Sequence, residues 1–131
     1  EFVKVKDKNV ARDRTLLINY VLILANTGIR VGEARQLRWR DIREIPQPEG
    51  SDKPADIALF VSGKTGPREV VARSPDVKVY LKRILELRTT ELGKAPSSDD
   101  HIFCNPDGAP VGSFKKSFAA LISSGLVLLG S

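Results

Sequence analysis

Arg30 stands where a phosphate group could bind. It follows Gly28, a residue suited to end one helix, and it precedes Val31, where the apolar spacing of a second helix begins. A helix N-terminus carries about half a positive charge and has backbone N–H groups without intrahelical partners, so a cation there is unfavourable unless an anion also binds. We therefore expect Arg30 to bind an anionic ligand such as phosphate.

Glu33 could support this arginine. It lies in the first turn of the predicted helix, where negative charge is favoured, and its i,i+3 spacing from Arg30 would let it orient the arginine. The simpler interpretation is a surface ion pair worth at most about 1 kcal/mol. The spacing alone leaves both interpretations open.

Lys64 lies in Ser62–Arg68, a segment rich in turn-forming residues between two β-prone runs. By itself it would be interpreted as a solvated turn residue. Gly63-Lys64-Thr65 shares residue types with a nucleotide-binding P-loop, but Ala58 stands where that loop needs a glycine, and Gly66-Pro67 cannot begin the helix that must follow. The segment therefore does not predict a nucleotide-hydrolysing enzyme.

Other reactive side chains do not form recognisable sites. His101 and Cys104 are three positions apart, but two ligands do not make a metal site, so we expect none. Tyr20 falls on the apolar run of a predicted helix, and Tyr80 lies early in another, so neither is a credible nucleophile.

The composition favours a polyanionic partner without establishing one. The chain has 131 residues, enough for one domain with its own core, and its formal net charge is +5. It contains one cysteine, which points to a reducing compartment such as the cytosol. The longest apolar run is far shorter than the roughly 20 residues that cross a bilayer, so no membrane helix is predicted.

The elements that must position these residues are mostly helical. Apolar residues at helical spacing predict four helices, over about Arg14–Asn26, Val31–Arg40, Ser74–Leu92 and Ser113–Gly125. The runs Ile57–Val61 and Glu69–Ala72 predict an antiparallel hairpin. The proline-rich Ile45–Ala55 predicts a surface loop, and the charged, aperiodic residues 1–13 predict a linker or domain-entry segment. The expected class is α+β, mainly helical with a small antiparallel hairpin or sheet.

The segment Thr27–Ile42 resembles the first conserved box of the tyrosine recombinase, or phage integrase, family. That box reads threonine, glycine, an apolar residue, arginine, two further residues and glutamate, and then leucine, tryptophan and aspartate-isoleucine. The chain has the matching residues in order, at Thr27, Gly28, Arg30, Glu33, Leu37, Trp39, Asp41 and Ile42.

The resemblance implies a chemistry for each residue. In this family a tyrosine attacks a phosphodiester without metal or cofactor, and two arginines stabilise the charge on the phosphorane oxygens. Arg30 matches the first of these catalytic arginines. Lys64 matches, by its hairpin position, the lysine thought to protonate the leaving 5′ hydroxyl. Glu33 matches the supporting acidic position.

The resemblance also implies what is missing. The second arginine, the histidine and the nucleophilic tyrosine of the family have no match, because Cys104 stands where His101 would need an arginine. Residues 14–131 would then be the N-terminal part of a catalytic domain whose C-terminal part is absent. Such a fragment would be inactive alone, while its parent would integrate or recombine DNA at specific sites.

The expected partners follow from this resemblance. They are double-stranded DNA and further copies of the same protein assembled on it, in the cytoplasm at the nucleoid of a bacterial or phage system. Cationic side chains that could contact DNA are Arg35, Arg38, Arg68, Lys115 and Lys116. The alternative is a non-catalytic helical DNA-binding or interaction module, in which Arg30 and Lys64 are ordinary surface charges.

Overall fold

A long helix, α1 (Phe2–Thr27), begins the fold. This computed structural model describes residues 2–111 except 54, 65 and 73, with side chains described from residue 10 onward. The sequence predicted helix only from Arg14, but α1 includes residues 2–13 of the segment in which a linker was expected. Residues 2–13 contain neither proline nor glycine, so nothing in the backbone interrupts the helix.

α1 ends at a glycine, as its sequence indicates. Gly28 has a φ of 73°, the left-handed conformation that glycine adopts without strain, and its N–H donates to the Leu24 carbonyl at 2.9 Å. The chain therefore turns sharply and delivers Arg30 directly to the start of the next helix.

The second helix, α2 (Val31–Gln36), is shorter than the predicted Val31–Arg40. Leu37 leaves the helix because its carbonyl accepts a hydrogen bond from Ile102 N–H at 3.1 Å. Trp39 N–H then donates to the Asp100 carbonyl, also at 3.1 Å. Pairing with a distant segment thus ends the helix, and a 3₁₀ turn at Trp39–Asp41 follows.

A three-stranded antiparallel sheet comes next, in the order β1-β2-β3. Its strands are β1 (Ile42–Ile45), β2 (Asp56–Gly63) and β3 (Gly66–Ala72). The pairing of β2 with β3 confirms the predicted hairpin, whereas β1 was not predicted as a strand. In the β2–β3 pair, Val61 lies opposite Arg68, and Pro67 lies opposite Ser62.

The last described helix, α3 (Asp76–Leu92), closely matches its predicted range. Ser74 Oγ accepts the N–H of Asp76 at 3.3 Å, and Pro75 rather than Ser74 occupies the cap position before the helix. Gly93 ends α3 with a φ of 72°. The helix predicted from Ser113, with Lys115 and Lys116, lies outside the described residues.

The core lies between α1, α3 and one face of the sheet. It contains side chains with almost no solvent exposure, among them Leu16, Ile23, Leu59 and Ile84. Apolar burial of this kind contributes about 25 cal/mol for each Å² removed from water, and it holds the helices against the sheet. The result is the α+β class that the sequence predicted.

A buried ionic cluster joins α1 to α3. Arg12 Nε lies 3.1 Å from both carboxylate oxygens of Glu91, and Arg88 Nη1 lies 3.4 Å from Oε1 of the same residue. Arg12 Nη2 also donates to the Cys104 carbonyl at 2.7 Å. Arg88 is only 2% exposed, so this cluster belongs to the interior rather than to a binding surface.

Among the residues described, no helix combines the length and the apolar character needed to cross a membrane.

Candidate functional site

Arg30 caps the N-terminus of α2 in an extended conformation, with φ of −85° and ψ of 156°. The residue is exposed, because the turn at Gly28 brings it out of the core just before α2 begins. The preceding residue, Ile29, is buried and anchors the turn. Arg30 is therefore fixed through its backbone and presented at the surface.

Glu33 lies beneath Arg30 on the buried side of α2 and is 2% exposed. Its Oε1 accepts the backbone N–H of Arg30 at 2.8 Å. At the i,i+3 spacing noted in the sequence, the Glu33 side chain therefore accepts a hydrogen bond from the Arg30 backbone. This bond satisfies one of the N–H groups at the start of the helix.

Arg68 on β3 is the side-chain partner of Glu33. Its Nη2 donates to Oε1 at 2.7 Å and its Nε donates to Oε2 at 2.9 Å, a bidentate arrangement. The Arg68 side chain is 42% exposed, so it reaches the buried carboxylate from the surface of the sheet. A contact between Arg68 and DNA stays a prediction.

The hydrogen bonds control the ionisation of Glu33. They lower its pKa from 4.5 to about 2, with Arg68 as the largest cause and the Arg30 backbone N–H as the next. The same contact raises the pKa of the Arg68 guanidinium. Glu33 is consequently a carboxylate at neutral pH, and it offsets one positive charge inside a group of cations.

Lys64 occupies the turn between β2 and β3, as predicted, and is exposed. Lys64 and Arg68 lie on the same β2–β3 hairpin. Three cationic side chains, those of Arg30, Lys64 and Arg68, are thus carried by two elements that meet at Glu33. Exposed cations held in this way are suited to a phosphate group.

The structure offers no attacking hydroxyl from either tyrosine. Tyr20 is 9% exposed and packs edge-on against Phe103, with ring centroids 5.0 Å apart, and its burial raises the pKa of the hydroxyl. Tyr80 is half-buried on α3, where Arg83 lies 5.7 Å from its ring centroid.

Arg35 and Arg38 lie farther along the chain from Arg30. Arg35 is exposed on α2, whereas Arg38 is half-buried just beyond its end, with Nη1 donating to the Asp99 carbonyl at 3.1 Å. Arg38 lines a polar cavity of about 490 Å³ together with Gln36, Ser62 and His101. Glu33 lines the same cavity, so Arg38 borders the group around Glu33. The contact of Arg35 and of Arg38 with DNA stays a prediction.

His101 lies against the segment that follows α2. Its backbone pairs with that of Arg38 in an isolated β-bridge, and it is half-buried. Burial, followed by the charge of Arg38, lowers the pKa of the imidazole. Its Nδ1 is buried and has no hydrogen-bond partner among the described residues.

The pair between Glu33 and Arg68 is the feature that sequence reasoning missed. The two residues are 35 positions apart, so no local spacing rule connects them. The sequence did place a cation, Arg68, on the same predicted hairpin as Lys64. We expected Arg68 to contact DNA rather than Glu33.

No protein-family model matches the chain, and no curated protein matches it either.

Proposed function

We propose that this chain binds the backbone of duplex DNA through Arg30 and Lys64, as part of the active site of a tyrosine recombinase. The observation that carries the proposal is the common anchor at Glu33, which accepts hydrogen bonds from the Arg30 backbone and from the hairpin residue Arg68. The resemblance of Thr27–Ile42 to the first conserved box of this family is the reason for proposing DNA strand cleavage and rejoining as the reaction.

Each residue has a distinct task in this reaction. A tyrosine hydroxyl attacks the phosphorus and gives its proton to a general base that, like the tyrosine itself, lies outside the 131 residues. The new phosphotyrosine bond forms, and the bond to the 5′ oxygen breaks. Arg30 donates to the non-bridging oxygens, whose charge increases in the transition state. Lys64 gives its proton to the departing 5′ oxygen, a transfer suited to an ammonium group on a flexible stem.

Glu33 acts through Arg30 rather than on DNA, because its buried carboxylate is occupied by protein donors. Tyr20 and Tyr80 do not fit the attacking role, so the proposal assigns that hydroxyl to a tyrosine outside the 131 residues. The complete enzyme would then cut and rejoin DNA as a homo-multimer on its target, at the nucleoid of a bacterial or phage system.

Affinity for duplex DNA tests the first part of this proposal. In the 131-residue chain, Arg30→Ala should weaken binding at low salt by about tenfold, the effect of one lost charge-assisted contact. Arg83→Ala is the matched control, because Arg83 is an exposed arginine on α3. Arg88 on the same helix is buried, so it cannot serve as this control. Equal effects of Arg30→Ala and Arg83→Ala would contradict the proposal.

A non-catalytic DNA-binding or interaction module is the second candidate. The burial of Tyr20 and the position of Tyr80 on α3 favour it, since neither residue is available for attack. In that case Arg30 would contribute no more than other surface arginines. Under either candidate, the chain alone should form no covalent adduct with DNA, and a tyrosine-linked product on a denaturing gel would overturn that expectation.

A further inference from the structure

Gly63 lies where the hairpin meets α2. A Cβ atom built on Gly63 would come within 3.1 Å of the Glu33 Cγ, closer than ordinary van der Waals contact. Gly63 is not among the glycines with positive φ, so its backbone conformation is open to other residues. The absence of a side chain at Gly63 therefore leaves room for the Cγ methylene group that carries the buried carboxylate.

The neighbouring Gly32 shows the contrast. It lies on α2 close to the same group of residues, yet a Cβ atom there would meet nothing within 4 Å. Among the glycines that the structure describes, Gly63 alone combines a close approach to Glu33 with a position next to Lys64. A Cβ atom at position 63 would therefore require the Glu33 side chain to shift by a few tenths of an ångström.

Glu33 transmits such a movement to Arg30. Both carboxylate oxygens are engaged, because Oε1 accepts from the Arg30 N–H and from Arg68, and Oε2 accepts from Arg68. The carboxylate is buried, so water cannot readily replace a lost donor. The hairpin is thus connected to the backbone of Arg30 through one side chain that has little freedom.

We propose that Gly63, Glu33 and Arg68 form a latch that fixes the hairpin turn carrying Lys64 relative to Arg30, so that both cations reach the same DNA phosphate. Gly63 and Arg68 are then positioning residues. Only the identity of the ligand, a backbone phosphate of duplex DNA, rests on the proposed function. The mechanical connection rests on the contacts of Glu33.

The exchange rate of the Arg30 amide hydrogen reports on this latch. In the full chain, Arg68→Ala and Gly63→Ala should each lower the protection of that hydrogen by about tenfold, because the carboxylate that accepts it becomes displaced or mobile. Arg68→Lys, a milder variant, should give a smaller loss, since ammonium cannot reproduce the bidentate contact. Arg83→Ala and Gly32→Ala are the controls and should not lower it.

The Leu59 amide, in the buried centre of β2, reports whether each variant is folded. Unchanged protection at Arg30 in folded Arg68→Lys and Arg68→Ala would overturn the latch. A loss at Arg30 with Leu59 still protected would support it.

Affinity for a DNA duplex separates the latch from a direct phosphate contact by Arg68. With the latch, the effects of Arg68→Ala and Arg30→Ala on affinity should be strongly non-additive, because each disrupts the same arrangement. Additive effects with unchanged Arg30 protection would overturn the latch and leave the proposed function standing. Lowered protection with no effect of any variant on affinity would support the latch and refute the proposed function.

Discussion

Arg68 on β3 and Glu33 on α2 form a bidentate ion pair, with N to O distances of 2.9 and 2.7 Å. This geometry is the strongest that an arginine and a carboxylate adopt, and it restricts the direction of both side chains. The pair joins the sheet to the short helix that begins after Arg30. A six-residue helix has little stability of its own, so this tertiary contact helps to define it.

The ionisation of Glu33 predicts a pH dependence of stability. Its pKa in the folded chain is about 2, below its ordinary value of 4.5, so the folded state favours the carboxylate. The stabilisation is complete above about pH 4.5 and is lost as the pH falls toward 2. Between about pH 7 and pH 3, the free energy of unfolding in urea should fall more for the wild type than for Glu33→Gln.

The exposed Glu69 on β3 provides the control for this experiment. Glu69→Gln should lose stability with pH much as the wild type does. If Glu33→Gln also follows the wild type, the Glu33 carboxylate contributes nothing to the pH dependence.

Lys64 should contribute to the salt dependence of DNA binding. Each lysine that neutralises a phosphate releases condensed counterions, so Lys64→Ala should reduce the slope of log affinity against log salt by about one unit. Lys82→Ala, on the exposed face of α3, should leave the slope unchanged. Fluorescence anisotropy of a labelled duplex over a salt series measures both, and equal slopes for all three proteins would argue against a phosphate contact by Lys64.

The buried cluster around Glu91 should respond differently to the removal of different members. Glu91→Ala leaves Arg12 and Arg88 in the interior without this carboxylate, and should cost about 3 kcal/mol of unfolding free energy. Arg88→Met removes a buried cation and retains an apolar stem, so its cost should be smaller. Urea unfolding compares the two, and a larger loss for Arg88→Met would contradict this account.

Ile84 should be a major source of core stability. It is fully buried on α3, so Ile84→Ala should lower the unfolding free energy by about 2–5 kcal/mol. Val79 on the same helix is 46% exposed, and Val79→Ala should change stability by no more than about 0.5 kcal/mol. Urea unfolding measures both losses. If Ile84→Ala and Val79→Ala lowered the unfolding free energy equally, α3 would not bury the face that carries Ile84.

Local patterns predicted the parts of the fold that depend on local physics. The apolar spacing of α3 and the left-handed Gly28 each involve residues within a few positions, and the structure has both. The turn at Lys64 between two β-prone runs was equally visible. The position of Arg30 at the start of α2 followed from the same information.

Long-range contacts determined what the sequence did not predict. Helical spacing continued past Gln36, but the hydrogen bond from Ile102 to Leu37 gives the backbone a competing partner, and α2 ends there. β1 becomes a strand because it pairs with β2, with Ile42 opposite Leu59. The pairing of Arg68 with Glu33 likewise depends on how the hairpin packs against α2. No rule based on sequence spacing predicts that packing.

The edge of the sheet has a consequence for how copies of the protein behave at high concentration. β3 is an outer strand, and Pro67 within it has no backbone N–H to offer to an approaching chain. Strand-to-strand addition, the first step toward fibrous aggregates, therefore meets a gap in the hydrogen-bonding ladder beside the turn that carries Lys64. The proline keeps this end of the edge strand from serving as a template for self-association.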